Sequence, residues 1–188
     1  MSSFSTKRKD NEMKKLTILL VLLGATSGAQ PPVPAPEPGL QRVTQICIVT
    51  RDIEATSKRW AAVLGVAPPS IKITRPGPEV RVMYRGRPST GQARIASIRL
   101  GQVSLEILQP VGPDTSWREF LDANGEGVQH IAFGVADLDG TVKRFASMGM
   151  PVMHQGRLDG DNGNYTYFDS KSALGVTVEL LNSDAKKP

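Results

Sequence analysis

The chain contains two histidines. One of them, His130, stands in the run Gly127-Val-Gln-His-Ile-Ala-Phe, where an imidazole offers acid–base or ligand chemistry. Two glutamates sit in similarly apolar runs, Leu105-Glu106-Ile-Leu and Val178-Glu179-Leu-Leu. A lone ionised carboxylate among apolar strand residues is expensive to bury unless it is paired or bound to a metal. Gln45, in Thr-Gln-Ile-Cys-Ile, adds an amide oxygen. Three oxygens and one nitrogen, with positions left for water or substrate, form a site for a divalent ion. Such a donor set suits Zn²⁺, Mn²⁺, Co²⁺ or Ni²⁺ better than a soft metal.

What must bring these four together is an internal repeat. Residues 43–62 (VTQICIVTRDIEATSKRWAA) align without a gap on residues 128–147 (VQHIAFGVADLDGTVKRFAS), with identities that include Val43/Val128, Ile46/Ile131, Asp52/Asp137 and Thr56/Thr141. VSLEIL at 103–108 matches VTVELL at 176–181. Each copy opens with a β-branched strand that runs to an Asp suited to capping the next helix. Ile53, Trp60 and Leu64 share one face of the first helix; Leu138, Val142, Phe145 and Met148 share one face of the second. Gly65 and Gly149 stop them. Strands are then expected at Ile71–Thr74, Val80–Tyr84, Ala93–Leu100 and Val103–Leu108, and again at Val152–Gln155, Tyr165–Phe168 and Val176–Leu181. Ser116-x-x-Glu119 reads as a capping box for a short helix between the copies. The fold class is α+β: two tandem βαβββ repeats forming a mixed, cup-shaped β-sheet with helices on the outside.

Strand alternation then sorts the faces. Gln45 and His130 occupy equivalent positions on the face turned away from the helices, and Glu106 and Glu179 are equivalent in the last strands. If each copy's first and last strands are neighbours, all four converge. Cys47 shares the face of Gln45 and reads as a buried free thiol. His154 has no repeat partner with ligand chemistry and reads as structural or rim-lining. The run Asp159-Gly-Asp161-Asn-Gly163-Asn164 lacks a calcium loop's third ligand and closing Glu, so it reads as a hairpin turn. Six arginines between Arg75 and Arg99 read as a protected strand edge, with a substrate anion as the competing role.

The net charge of +5 is no footprint of nucleic-acid binding. Residues 1–29 hold five basic and two acidic side chains, leaving 18 against 16 elsewhere, with no basic–aromatic alternation. Lys14 and Lys15, the apolar run Leu16 to Leu23, and Ser27 and Ala29 form a signal-peptide pattern over residues 1–29. That predicts export to a periplasmic or extracellular location, with no stable membrane anchor after cleavage. A Pro-rich linker follows at 30–40, then one domain over 41–183 with repeats at 43–110 and 128–182, and a polar tail at 184–188. The single cysteine excludes an intrachain disulfide.

The stretch Gly127-Val-Gln-His130-Ile-Ala-Phe, the aspartates at both helix starts and the Glu106 and Glu179 strands resemble the vicinal oxygen chelate superfamily, over about Val43 to Leu181. That superfamily includes glyoxalase I, methylmalonyl-CoA epimerase, extradiol dioxygenases and bleomycin-resistance proteins. Residues 120–137 and Pro110 look most like methylmalonyl-CoA epimerase. The resemblance implies a metal held by Gln45, Glu106, His130 and Glu179, with Glu179 and Glu106 as catalytic carboxylates. It implies isomerase or lyase chemistry through a metal-stabilised enolate on a small carbonyl acid. A non-catalytic, resistance-type binding cup is the alternative. Epimerases usually carry His where this chain has Gln45, whereas the order Gln, Glu, His, Glu is that of eukaryotic-type glyoxalase I. The arginines with which such glyoxalases hold glutathione are replaced by Val49 and Glu126. Ring cleavage needs two histidines on iron, and Gln45 removes one. The expected partner is a small-molecule substrate, anionic ones included, and a homodimer is allowed.

Overall fold

The computed structural model describes residues 40 and 42–184. The segment read as a signal peptide, most of the expected linker and the tail beyond Asp184 lie outside the described residues. Among the described residues, no helix is long and apolar enough to cross a membrane.

The first half runs β1 (Val43–Val49), α1 (Ile53–Leu64), β2 (Lys72–Ile73), β3 (Met83–Tyr84), β4 (Arg87–Pro88), β5 (Gln92–Leu100) and β6 (Val103–Val111). Helix α2 (Ser116–Asn124) connects to β7 (Gly127–Val135), α3 (Leu138–Ser147), β8 (Val152–Arg157), β9 (Gly163–Phe168), α4 (Lys171–Leu174) and β10 (Thr177–Ser183). The strands form one mixed, strongly curled sheet in the order β2-β5-β6-β1-β7-β10-β9-β8-β3-β4. The opening strand of each half pairs in parallel with its own closing strand, β1 with β6 and β7 with β10, and β1 meets β7 antiparallel at the centre. The four strands that carry the candidate residues are therefore adjacent interior ones, the third to sixth of ten. Interior strands are held on both edges, which is where a site gains its rigidity.

Local chemistry explains the helix boundaries. Asp52 accepts from Ala55 N at 3.0 Å and Asp137 from Gly140 N at 2.9 Å, so both are N-caps as the pattern required. Gly65, at φ 68°, closes α1 in the left-handed region. The capping box is displaced by one residue. Thr115, not Ser116, caps α2, with its hydroxyl accepting from Arg118 N at 3.1 Å. Ser116 is thereby freed to hold His154, 2.9 Å from its Nδ1. Glu119 turns outward to pair with Arg85 at 2.7 Å.

Apolar packing divides between the two sheet faces. On the convex side α1 covers Ala96 and Ile107 with Ile53 and Trp60, while α3 covers Phe168, Val178 and Leu180 with Phe145, Leu138 and Val142. Phe145 and Phe168 stack at 4.2 Å between centroids. Met148 does not join its helix neighbours; it is the C-cap and stays half exposed. On the concave side a separate cluster joins Cys47, Val49 and Leu108 to Trp117 and Leu121 of α2 and to Tyr167.

One expectation fails in an informative way. Of the strand expected over Val80–Tyr84, only Met83–Tyr84 is extended, and Val80 and Arg81 belong to a turn. The β3–β4 hairpin leaves its own half and pairs with β8, Met83 opposite Gln155 and Tyr84 opposite His154. The backbone follows β8 closely, with Arg157 N donating to Val80 O at 2.8 Å and Arg85 N to Met153 O at 2.7 Å. Residues 74–91 thus bridge the two ends of the curled sheet.

Candidate functional site

Strand pleat and register build the site. Gln45, Glu106, His130 and Glu179 project from β1, β6, β7 and β10 onto the concave face, and the structure brings all four together. Taking His130 Nε2 as the common point, Glu179 Oε2 lies at 3.2 Å, Gln45 Nε2 at 3.4 Å and Glu106 Oε1 at 3.9 Å. His130 is fully buried and Glu179 is 2% exposed. The side chain of Glu106 keeps 12% exposure.

The imidazole is oriented by a neighbour that sequence reasoning passed over. His130 Nδ1–H donates to Gln129 Oε1 at 2.6 Å. In a neutral ring this leaves the Nε2 lone pair aimed at the two carboxylates. The centre is therefore crowded with electron pairs. Around it stand four carboxylate oxygens and an imidazole lone pair. Against these the donors are the Gln45 amide and the Cys47 thiol, which hydrogen-bonds to Glu106. Glu179 Oε2 is buried without a hydrogen-bond partner. An orphaned buried carboxylate oxygen costs several kcal/mol in the low-dielectric interior unless a cation meets it. A divalent ion fits this donor set, with Gln45 offering its oxygen once the amide turns over. Glu106 carries the electrostatic mark of the crowding. Burial pushes its carboxyl up to about 7, the Glu179 charge adds to the rise, and His130 and the thiol act against it. Burial also drives Cys47 well above the ordinary thiol range, with Glu106 adding to the rise.

The centre opens onto a cavity of about 250 Å³ walled by Trp117, Tyr165, Tyr167 and Val80 and reaching Gln45, Glu106 and Glu179. Tyr167 stands edge-on to His130, with ring centroids 4.9 Å apart. Burial, followed by the Glu179 charge, raises both tyrosine hydroxyls well above their ordinary range, so both stay protonated. Alternation along β9 already placed Tyr165 and Tyr167 on one face, and that signal could have found them. His154 sits behind this wall, stacked on Tyr167 and held by Ser116. Burial, with His130 adding to the effect, drops its pKa to about 3, so its ring stays neutral behind the wall.

Arg75 and Arg157 reach the cavity wall, but acids already engage them. Arg75 pairs with Asp161 at 2.7 Å and Glu79 at 3.3 Å, and Arg157 pairs with Asp184. The run at 159–164 is the β8–β9 turn, and its aspartates anchor residues 74–91 through Arg75. Arg94 pairs with Glu54 on the outer side. Glu126 is used internally, accepting from Arg51 N at 2.7 Å and the Thr50 hydroxyl at 3.0 Å.

A curled sheet with an acid–imidazole–acid centre in its hollow defines a protein of the vicinal oxygen chelate class. Residues 44–168 match the Glyoxalase/Bleomycin resistance protein/Dioxygenase superfamily, and the chain belongs to it. It is similar to the methylmalonyl-CoA epimerase of Streptomyces coelicolor in complex with 2-nitronate-propionyl-CoA, at 28% identity and a TM-score of 0.55, covering 77% of this chain and 98% of that one. A methylmalonyl-CoA epimerase bound to methylmalonyl-CoA and NH4+ is similar at 27% identity and a TM-score of 0.52, covering 77% and 95%. The Mycobacterium tuberculosis epimerase, at 18% identity and a TM-score of 0.51 over 75% and 87%, shares the fold. Among curated proteins, the uncharacterized protein YqjC of Bacillus subtilis is 29% identical over 90 residues, 47% of this chain, which spans 64% of that relative's length.

Proposed function

We propose that the chain is an enzyme of isomerase type that moves a proton at the carbon beside the carbonyl of a small carbonyl acid or its thioester. Gln45, Glu106, His130 and Glu179 would hold a divalent cation. The observation that carries the reading is the pair of buried carboxylates flanking one imidazole at the floor of a single small cavity. Its likeness to epimerases that bind acyl-CoA ligands, at 27–28% identity, supports the same chemistry.

When bound, the cation supplies Lewis-acid polarisation of the substrate carbonyl, which makes the neighbouring C–H acidic. Glu106, at the cavity floor beside the cation's place, is positioned to take a proton and give it back. Glu179 stands on the other side of His130 as the second carboxylate. One carboxylate removes the proton and the other returns one to the opposite face, so the carbon inverts with no net gain or loss of atoms. The hydrogen bond from His130 to Gln129 fixes the ring while this happens. The aromatic wall excludes water from the carbanionic species. Both arginines of the wall are paired, so a substrate carboxylate finds its neutralising charge in the cup. Since a cavity of roughly 150 Å³ holds a benzene, about 250 Å³ admits a short acyl group. A thioester's carrier would remain outside.

The test is exchange of the acidic C–H of 2-oxo, 2-hydroxy-carbonyl and malonyl-type acids or thioesters with solvent deuterium. Exchange should require added divalent metal. Glu179→Gln and Glu106→Gln should each lower it by roughly 10²–10⁴-fold, the usual worth of a positioned base. Tight binding of such ligands with no exchange, metal present, would replace this reading with a binding cup.

A further inference from the structure

One concave side chain takes no part in that scheme. Cys47 is free and fully buried. The register sets it opposite Glu106 on β6 and opposite His130 on β7, so the three form one row across adjacent strands. Gln45 belongs to the next row, opposite Ser104 and Ala132, and Glu179 is also opposite Ala132. Cys47 is therefore the side chain that the sheet itself places between the first glutamate and the histidine. Its Sγ, a carboxylate oxygen of Glu106 and a ring nitrogen of His130 all lie within 4.8 Å of one another. Donors sharing one tetrahedral ion at ~2.0–2.3 Å stand roughly 3.3–3.8 Å apart, so the row must draw in by up to about 1–1.5 Å to close on an ion. An independent observation points at the same place. Glu179 Oε2, buried and without a hydrogen-bond partner, lies 3.2 Å from the same ring nitrogen of His130.

We propose that Cys47 is a ligand of the cup. Its sulfur joins His130 and Glu106, with Glu179 and Gln45 in the next row, and the site selects a thiophilic divalent ion, zinc or cobalt, over manganese or magnesium. The proposal rests on reading the cup as a cation site and adds to it a donor that the four-residue set lacks. Sulfur selects for zinc and against magnesium and manganese because a soft, polarisable donor gains little from a hard ion. Binding breaks the S–H bond, forms a metal–sulfur bond and releases the thiol proton to solvent. With sulfur in the set, either glutamate can leave the ion for proton transfer without emptying the site.

X-ray absorption at the zinc edge of the zinc-loaded full chain should show a sulfur shell at ~2.3 Å beside nitrogen and oxygen at ~2.0–2.2 Å. The cobalt-loaded chain should absorb in the near ultraviolet through sulfur-to-cobalt charge transfer, and Cys47→Ala should lose that band. The variant should bind zinc on the order of 100-fold more weakly, at least what a lost supporting contact costs, with manganese binding unchanged. Should the variant fail to fold, the absorption spectrum of the unaltered chain decides alone. Zinc held by nitrogen and oxygen only, with unchanged affinity in Cys47→Ala, overturns the sulfur ligand and leaves the cation site standing. Failure of the unaltered chain to take up any divalent ion overturns both.

Discussion

Glu106 should make the metal-free protein less stable as the pH rises from weakly acidic to neutral. Its carboxyl has an ordinary value of 4.5 and is pushed up to about 7 in the folded chain, chiefly by burial. The folded state thus holds a proton that the unfolded state has released. This contribution is fully present below about 4.5 and is lost as the pH climbs through about 7. At about 1.36 kcal/mol per pH unit, the loss amounts to roughly 3 kcal/mol, or roughly 6–12 °C in Tm for a domain of this size. The assay is a series of thermal melts from pH 4 to 8 with a chelator present, run beside Glu106→Gln. The amide does not titrate, so the variant should gain on the unaltered protein across this window and be the more stable of the two at pH 8. His154 acts the opposite way below about 6.5, and Glu54, Glu126 and Asp184 are shifted downward; all of these contributions cancel in the difference between the two proteins, which is what reports Glu106. Added zinc should reverse the sign by favouring the ionised carboxylate. Parallel curves for the two proteins between pH 4.5 and 7 would refute the account of a crowded, desolvated acid.

His154→Phe should keep the aromatic stack but orphan the Ser116 hydroxyl, costing roughly 1–3 kcal/mol at pH 8. At pH 5 the variant should recover ground, because buried His154 resists the proton that its unfolded form accepts below about 6.5; melts at the two pH values check both halves. In Gly163→Ala the new methyl would meet the Asn182 backbone oxygen at 2.1 Å. A loss of about 1–3 kcal/mol in denaturant titration is expected. For export, N-terminal sequencing of protein from its native host should read from near Gln30. Intact Met1 or Met13 in the soluble cytoplasm would remove that proposal.

Period-two patterning was enough to put Gln45 and His130 on one face, because each strand buries one apolar side against a helix and frees the other. It also placed Cys47 on that face. That Cys47 stands level with Glu106 and His130 follows from register between strands, a relation that no single strand's alternation contains. The same holds for Gln129, whose grip on His130 depends on where a neighbouring side chain turns. The β3–β4 hairpin escaped because two-residue strands carry no period, and its partner lies in the other half. Thr115 and Ser116 exchanged roles because both can cap, and the choice fell to the one not needed by His154.

The crossing hairpin also bears on how the chain reaches this form. Made from the N-terminus onward, Met83 and Tyr84 emerge long before Gln155 and His154, the residues they pair with. Until β8 arrives, the β3–β4 hairpin lacks the strand that it pairs with, and residues 74–91 are held by first-half and α2 contacts alone, such as Ser89 to Asp114 and Arg85 to Glu119. Pairings so distant along the chain close late and slowly. The front half of a nascent chain is consequently exposed to aggregation for as long as the back half is unmade. Neither half is a self-sufficient module, whatever their likeness in sequence. Two fragments parted between β6 and β7, however, carry complementary edges, the loose hairpin on one and the bare flank of β8 on the other. Mixed in solution, they have the means to find each other and rebuild the hollow.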